Sequence, residues 1–249
     1  MKSHPIFSGI ILAVILFRPA APPAQGAPGA TPGPDPRQVF AELVKPYRNL
    51  NDYTVKIHAK VNLPTIRVPD FTATIYFHKP DRFHIETKSF APIPRNSGVF
   101  NPSQFDPEKN LITYQRAENL DGTRAELYRV EPLDTKSQIR YSNVWVGGVP
   151  GRVLQVENLS FRGTKTLVKL SYGTVAQGAE KWLLPESVHV HLTFPEGATN
   201  SDASSLITKD NPVSGGMGRL DEISGEGDIH ITYSDWRVNT SLDESLFKK

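Results

Sequence analysis

The spacing of the hydrophobic residues changes from a helical to a strand period near residue 50. Before this point, apolar residues recur every three or four positions, as they do along one face of an amphipathic helix; they are Val39, Phe40, Leu43 and Tyr47. Asp35 and Pro36 come just before them. This pair is typical of a helix start, because Asp caps free N–H groups and proline fits the first turn. Pro46 predicts that the helix ends or kinks near Lys45.

From residue 53 onward, apolar and polar residues alternate, which is the period of a half-buried β-strand. Three successive segments, 53–61, 71–77 and 83–88, show this alternation. Further strands are predicted at 125–130, 138–146, 153–161, 166–172, 188–194 and 229–233. Short turns without intervening helices favour a meandering antiparallel sheet over a parallel one. The predicted fold class is therefore α+β, with one antiparallel sheet.

Two segments interrupt the strand pattern. Residues 89–109 contain Pro92, Pro94, Pro102 and Pro107, and this segment is predicted to be irregular, with a short helix as one option. Residues 195–228 are rich in Gly, Ser and Asp. They are predicted to form a long flexible loop that folding does not require, because it has little apolar surface to bury.

The first 26 residues have the order of a secretory signal peptide: Lys2, then an apolar run from Ile6 to Phe17, then small residues that end at Gly26. A transmembrane helix needs roughly 20 apolar residues, and this run is shorter. We therefore expect cleavage near Gly26 and export to the periplasm, with an uncleaved membrane anchor as the alternative. Residues 27–34 are predicted to be a Pro/Gly-rich spacer, and residues 35–249 a single domain.

The composition excludes several classes of protein. Hydrophobic residues make up 38% of the chain and charged residues 22%, which is the range of an ordinary globular protein. The chain has no cysteine, which excludes disulfides, thiolate metal sites, a cysteine nucleophile and a lipid-modified cysteine. Removing residues 1–26 takes away Lys2 and Arg18 but no acidic residue, so the predicted mature chain is neutral. Without a basic stripe, we expect no nucleic-acid partner.

No motif of a known catalytic class is present: there is no Gly-x-Ser-x-Gly, no His-Glu-x-x-His and no phosphate-binding glycine loop. We therefore expect no enzymatic activity and no cofactor. His189 and His191 lie two residues apart on a predicted strand, so both point to the same side. Other polar strand positions carry His58, His78 and His84. A metal site that includes Glu86 is one interpretation, but an exposed polar face explains these residues too, and we expect stability to be independent of metal.

A series of short motifs runs along the predicted helix, strands and turns. The first group is Tyr47-x-x-Leu50, Tyr53-Thr54, Lys79-Pro80-Asp81-Arg82-Phe83 and Glu86-Thr87. The second group is Asp121-Gly122-Thr123, Leu127-Tyr128-Arg129-Val130-Glu131-Pro132, Val144-Trp145-Val146, Gly151-Arg152-Val153-Leu154, Trp182-Leu183-Leu184-Pro185 and Tyr233-x-x-Trp236-x-Val238-Asn239 with Phe247. In their order and spacing these motifs resemble the LolA/LolB-like family of outer-membrane lipoprotein carriers, over nearly all of residues 36–248. The chain departs from that family where His84-Ile85 replaces the expected Trp and where the second strand lacks its opening Gly.

The resemblance implies a curved antiparallel sheet, a half-barrel, with helices covering its concave apolar face. In LolA-like proteins the cavity accepts the acyl chains of lipoproteins and carries them across the periplasm, while relatives act as lipid carriers or as sensors that restrain stress signalling. The implied function is a periplasmic carrier for acyl chains, lipoproteins or another amphiphile, with membrane lipoprotein-sorting proteins as possible partners. A protein-interaction or envelope-stress sensor module that uses the same groove is the alternative.

An apolar groove is the candidate site, because a concave apolar surface on a folded protein marks a ligand or partner site. The predicted lining residues are Phe40, Leu43, Val55, Ile57, Phe71, Ala73, Ile75, Phe77, Phe83 and Ile85. The helix that carries Phe40 and Leu43 is expected to lie over the strands that carry Ile57 and Ile75. A closed, well-packed core is the alternative that the sequence leaves open.

Overall fold

The structure is a computed structural model, and it describes residues 33–63, 66–67, 69–80, 82–87, 105–148, 151–198 and 223–247. The predicted signal peptide, most of the proline-rich segment 89–109 and the middle of the predicted loop 195–228 lie outside the described residues. Among the described residues there is no helix with the length and apolarity needed to cross a membrane.

A single α-helix, α1 (Pro36–Val44), begins the described chain. The side chain of Asp35 accepts a hydrogen bond from the backbone N–H of Arg37 at 3.0 Å, and a proline occupies the first turn. This is the predicted helix start, because the carboxylate satisfies an N–H that has no partner within the helix. A short 3-10 helix, Lys45–Tyr47, follows at the predicted end.

Within the described residues, eleven strands form one sheet. They are β1 (Asp52–Leu63), β2 (Ile66–Arg67), β3 (Phe71–His78), β4 (Arg82–Thr87), β5 (Asn110–Leu120), β6 (Thr123–Pro132), β7 (Ile139–Gly147), β8 (Arg152–Ser160), β9 (Lys165–Gln177), β10 (Glu180–Ala198) and β11 (Ile223–Val238). Their spatial order is β4-β3-β1-β11-β10-β9-β8-β7-β6-β5, and β2 pairs with β1 outside this order. Every pair is antiparallel, as predicted.

Each strand that the alternation predicted is present, but β5 and the two-residue β2 were not predicted. The alternation in β5 fails because the register shifts between Tyr114 and Arg116, which marks a β-bulge. A bulge adds one residue to a strand, so the polar and apolar positions beyond it exchange faces. The bounds of the loop 195–228 were also wrong, since β10 continues to Ala198 and β11 begins at Ile223.

The register of the strands builds one continuous apolar face. Directly paired residues on this face form a row across seven strands: Val61, Ile229, Val190, Val168, Val156, Val144 and Tyr128. Residues at alternate positions point to the same face, so the neighbouring rows are apolar as well. The opposite face carries mostly polar side chains over β1, β11 and β10.

Candidate functional site

Among the residues that the structure describes, the apolar face contains two groups of buried side chains. The first, here called the large cluster, is formed by β1, β3, β10 and β11 together with Tyr47 and Leu50. The second, here called the helix cluster, is formed by Phe40 of α1 and by Tyr128, Val130, Val144, Val146 and Val156 of β6, β7 and β8. Partly buried Val168 of β9 packs against both clusters, so the seam between them runs along β9.

The predicted groove residues of β1 and β3 lie together in the large cluster. Val55, Ile57, Phe71, Ala73, Ile75 and Phe77 are between 0% and 5% exposed. Val55 pairs with Ile75 and Ile57 with Ala73, so their side chains share one face. In this conformation these residues are closed to solvent. An acyl chain would therefore reach them only after side chains separate.

The remaining strand residues of the predicted groove lie on β4, at the edge of the sheet. Phe83 pairs with Phe77 and Ile85 with Ile75, so both continue the apolar face. Ile85 is partly buried against the large cluster, whereas Phe83 is 39% exposed. The face is therefore covered at its centre and partly open at this edge.

The helix does not lie where the sequence placed it. Phe40 packs edge-on against Tyr128 of β6, with ring centroids 5.3 Å apart, and also against Phe105 at 6.1 Å. Leu43 is partly buried in the same helix cluster. The expectation that α1 covers β1 and β3 is therefore wrong, and the described helix covers β6–β8 instead. Pairing of distant strands decides which part of a sheet lies beneath a helix, and local spacing carries no information on it.

Three tyrosines and one arginine meet where the 3-10 helix approaches β8–β11. This tyrosine–arginine cluster comprises Tyr47, Arg152, Tyr172 and Tyr233. The hydroxyl of Tyr47 donates to the carbonyl of Leu183 at 2.7 Å, and that of Tyr172 donates to the carbonyl of Val153 at 2.8 Å. The guanidinium carbon of Arg152 lies 5.8 Å from the centroid of the Tyr172 ring.

Burial dominates the electrostatics of this cluster. Desolvation raises the pKa of Tyr47 to about 12, against a smaller opposing effect of the Arg152 charge. The pKa values of Tyr172 and Tyr233 are raised for the same first reason, loss of water around the phenol. All three phenols thus stay neutral near pH 7, and Arg152 is the charged member of the cluster.

Arg152 is half-buried, and within the described part of the chain no carboxylate lies within ion-pair distance of its guanidinium. A cation beside apolar surface is costly unless it finds an anionic or hydrogen-bonding partner. Guanidinium groups bind carboxylate and phosphate through two parallel hydrogen bonds. Chemically, this arrangement suits a ligand that has both an apolar chain and an anionic group.

A second polar group on the same face has no partner. The hydroxyl of Tyr128, fully buried in the helix cluster, makes no hydrogen bond to any residue that the structure describes. The pKa of Tyr128 is raised to about 12, first by burial and then by the nearby Glu126 charge. A buried hydroxyl without a partner is unfavourable by about 1–3 kcal/mol, and a carbonyl oxygen on a ligand would satisfy it.

Solved structures of low sequence identity share this architecture. A domain assigned to outer membrane lipoprotein sorting, from Vibrio parahaemolyticus, is 16% identical with a TM-score of 0.50, over 84% of this chain and 94% of that one. A DUF1329 family protein from Desulfovibrio piger is 12% identical with a TM-score of 0.52, over 86% and 98%. A LolA superfamily protein from Nitrosomonas europaea is 11% identical with a TM-score of 0.47, over 85% and 96%. No protein-family model matches the sequence, and no curated protein matches it.

The chain has a LolA-like fold. At these identities the likeness concerns the fold alone. The resemblance found in the sequence motifs is therefore confirmed for architecture. The described part of this LolA-like sheet has one short α-helix, so the implied set of helices over the concave face is not observed there.

The opposite, polar face of the LolA-like sheet carries the predicted pair of histidines. His189 and His191 lie on the same side of β10, as their spacing predicted, and both contact Asp228 of β11. Glu86, the carboxylate proposed to join them, lies on β4, and three strands separate β4 from β10. Neighbouring strands lie about 4.8 Å apart, so β4 and β10 are roughly 19 Å apart, which excludes Glu86 from a metal site with His189 and His191.

Sequence reasoning missed the tyrosine–arginine cluster and the contribution of Asp228. Tyr47, Arg152, Tyr172 and Tyr233 are spread over almost the whole domain, so no local motif contains them. Asp228 fell in the predicted loop 195–228. Asp228, Ile229 and His230 alternate between polar and apolar, and this alternation could have indicated that β11 begins before residue 229.

Proposed function

We propose that this chain is a non-enzymatic binding protein or carrier for an acyl-chain amphiphile, a lipid or the acyl anchor of a lipoprotein, that carries an anionic group. The observation that carries the proposal is the half-buried Arg152, without a carboxylate partner among the described residues, beside a continuous apolar face. The LolA-like fold supports it, because a solved structure of similar fold is a domain assigned to outer membrane lipoprotein sorting.

The energy of burying an acyl chain is large enough for this role. Removing a sixteen-carbon chain from water is worth about 13 kcal/mol, at roughly 0.8 kcal/mol per methylene. Part of this energy is needed to separate side chains that are now in contact, because the large cluster is closed. We propose that the chain enters along the seam at β9, where Val168 and Leu170 are only partly buried.

The proposed ligand lies with its anionic group at Arg152 and its apolar chain between the two clusters. In this position the guanidinium gains the partner that it lacks among described residues. The tyrosines beside it are neutral near pH 7, so they place no competing negative charge next to the guanidinium. We further propose that the protein acts in the periplasm, which rests on the export signal predicted from the first 26 residues.

Binding of two fluorescent probes to the delipidated protein tests this proposal. The probes share one acyl chain, and one ends in a carboxylate while the other ends in an alcohol. We expect the wild type to bind both, and Arg152→Gln to weaken only the anionic probe, by about tenfold or more, because hydrogen bonds to a charged group are worth about 1.5–3 kcal/mol. Arg140→Gln is the matched control, since Arg140 is exposed on β7.

A wild type that binds neither probe, or an equal loss of both probes in Arg152→Gln, would contradict the proposal. Mass spectrometry of lipid extracted from the purified protein gives an independent test. Copurified lipid supports the carrier. An empty protein captured together with one membrane protein would instead support the alternative, a sensor module that binds a periplasmic segment through the same face.

A further inference from the structure

We propose that the polar face of the sheet holds a divalent transition-metal site, formed by His189 of β10 and by Asp228 and His230 of β11. One ligand atom from each residue lies within 4.8 Å of the other two. This arrangement is independent of the amphiphile site, because these side chains point away from the apolar face. It also runs against the metal independence expected from the sequence.

Antiparallel register explains why these residues meet. His189 pairs directly with His230, and His191 pairs directly with Asp228. Side chains of directly paired residues lie close together on one face. The rings of His189 and His230 are accordingly stacked, with centroids 4.0 Å apart and planes inclined by 10°. Asp228 reaches His189 diagonally, with 2.7 Å between its Oδ1 and the Nε2 atom.

The donor set and its dimensions suit zinc. Two imidazoles and one carboxylate leave a fourth position for water, as in zinc sites with three protein ligands. A tetrahedral zinc ion with bonds of about 2.0–2.1 Å holds its ligand atoms about 3.4 Å apart. The closest pair of ligand atoms, 2.7 Å apart, must therefore open by about 0.7 Å, and no pair is more than 4.8 Å apart, so none must close by more than about 1.4 Å. Side-chain rotation at partly exposed positions allows both changes. Copper and nickel would also compete for such a site, because nitrogen and oxygen ligands bind divalent copper and nickel with affinities similar to or higher than that for zinc.

His191 has a supporting position beside the proposed ligands. Its Nδ1 lies 3.1 Å from Oδ1 of Asp228, and its Nε2 lies 3.9 Å from a carboxylate oxygen of Glu226. A group that holds a metal-binding carboxylate in one orientation strengthens the site, and its loss commonly weakens metal affinity by about 10–100-fold. We therefore assign His191 as a positioning residue.

Two lysines face the site from the neighbouring strands. Lys60 of β1 pairs with His230, and Lys169 of β9 pairs with His189. Their positive charges would disfavour a cation, but each ammonium group lies near a carboxylate away from the site. Lys60 lies 3.7 Å from Asp70, and Lys169 lies 3.2 Å from Asp121. The carboxylate of Asp228 is held between two imidazoles, with its Oδ1 2.7 Å from Nε2 of His189 and 3.1 Å from Nδ1 of His191.

Zinc titration of the full, untagged chain by calorimetry tests the site. We expect one zinc ion per chain for the wild type, no binding for His230→Ala or Asp228→Asn, and binding about tenfold or more weaker for His191→Ala. His84→Ala is the matched control, because His84 lies on the polar face of β4 beside a single carboxylate. We expect it to bind zinc like the wild type.

A second measurement does not depend on variants. Nuclear magnetic resonance of the imidazole nitrogens should show that added zinc shifts the signals of His189 and His230 and leaves those of His84 unchanged. The absence of stoichiometric binding in the wild type would overturn the proposal. So would zinc binding that persists in His230→Ala and Asp228→Asn, or zinc shifts confined to other histidines. The cluster would then be only a hydrogen-bonded group of Asp228 and its two neighbouring imidazoles.

Discussion

The apolar and polar faces of the sheet are formed by the same strands, but their residues contribute in different ways. Residues of the apolar face contribute through burial, and residues of the polar face through their pairing across strands. On the apolar face, Ile57, Ile75 and Ile231 are excluded from water, and each contributes through burial. On the polar face, His189 and His230 are half-buried or exposed, and their importance comes from being paired in register. Burial constrains the size and polarity of a residue. Register alone brings chemical groups together, at little cost in stability.

We expect the largest difference in stability between a buried and an exposed substitution in α1, which packs on the helix cluster. Phe40→Ala removes a fully buried ring that contacts Tyr128 and Phe105. We expect a loss of about 3–5 kcal/mol in the free energy of unfolding, because the substitution removes buried apolar surface and also leaves a cavity. Glu42→Ala on the exposed side of α1 removes only an exposed ion pair with Lys45 and should change stability by about 0.5 kcal/mol or less. Urea unfolding measures both, and similar losses would show that α1 does not pack on β6.

The pH dependence of the free energy of unfolding above pH 10 tests the burial of Tyr47. Its pKa is raised from 10.0 to about 12, so the folded state holds the phenol proton more tightly than the unfolded chain does. The corresponding stability is fully present below pH 10 and is lost as pH rises to about 12. It amounts to about 2–3 kcal/mol, at 1.36 kcal/mol per pH unit.

We therefore expect the wild type to lose more stability than Tyr47→Phe over this pH range. The variant also lacks the hydrogen bond to Leu183, so its stability below pH 10 should be lower. Unfolding free energies measured at a series of pH values compare the two proteins. Parallel curves for wild type and variant would show that Tyr47 is solvated.

Ala73→Phe compares the two faces within one strand and gives the smallest expected effect. Ala73 is buried in the large cluster, so a phenyl ring there should strain the packing by about 1–3 kcal/mol. Thr72→Phe, one residue earlier on the opposite face, is exposed and should cost about 0.5 kcal/mol or less. If Ala73→Phe costs as little as Thr72→Phe and also blocks the acyl probe, the large cluster contains space for a ligand.

Local pattern was sufficient for most of the secondary structure. The alternation from Tyr53 to Val61 predicted β1, and Asp35 with Pro36 predicted the start of α1. These signals depend on neighbours within a few positions, which is the range over which helix and strand periods act. The strand β5 was missed for the same reason, because one bulged residue near Tyr114 disrupts the period. The LolA-like architecture followed from the order of such local motifs along the chain.

The sequence by itself determined which residues face inward, because a period of two divides each strand into an apolar and a polar side. Only the tertiary structure decided which strands are neighbours, and hence that α1 covers β6–β8, that Arg152 meets Tyr47 and Tyr172, and that Asp228 and His230 join His189. Strand pairing depends on contacts between residues far apart in the chain. Those contacts form only when the whole apolar face is buried at once, so no single segment encodes them.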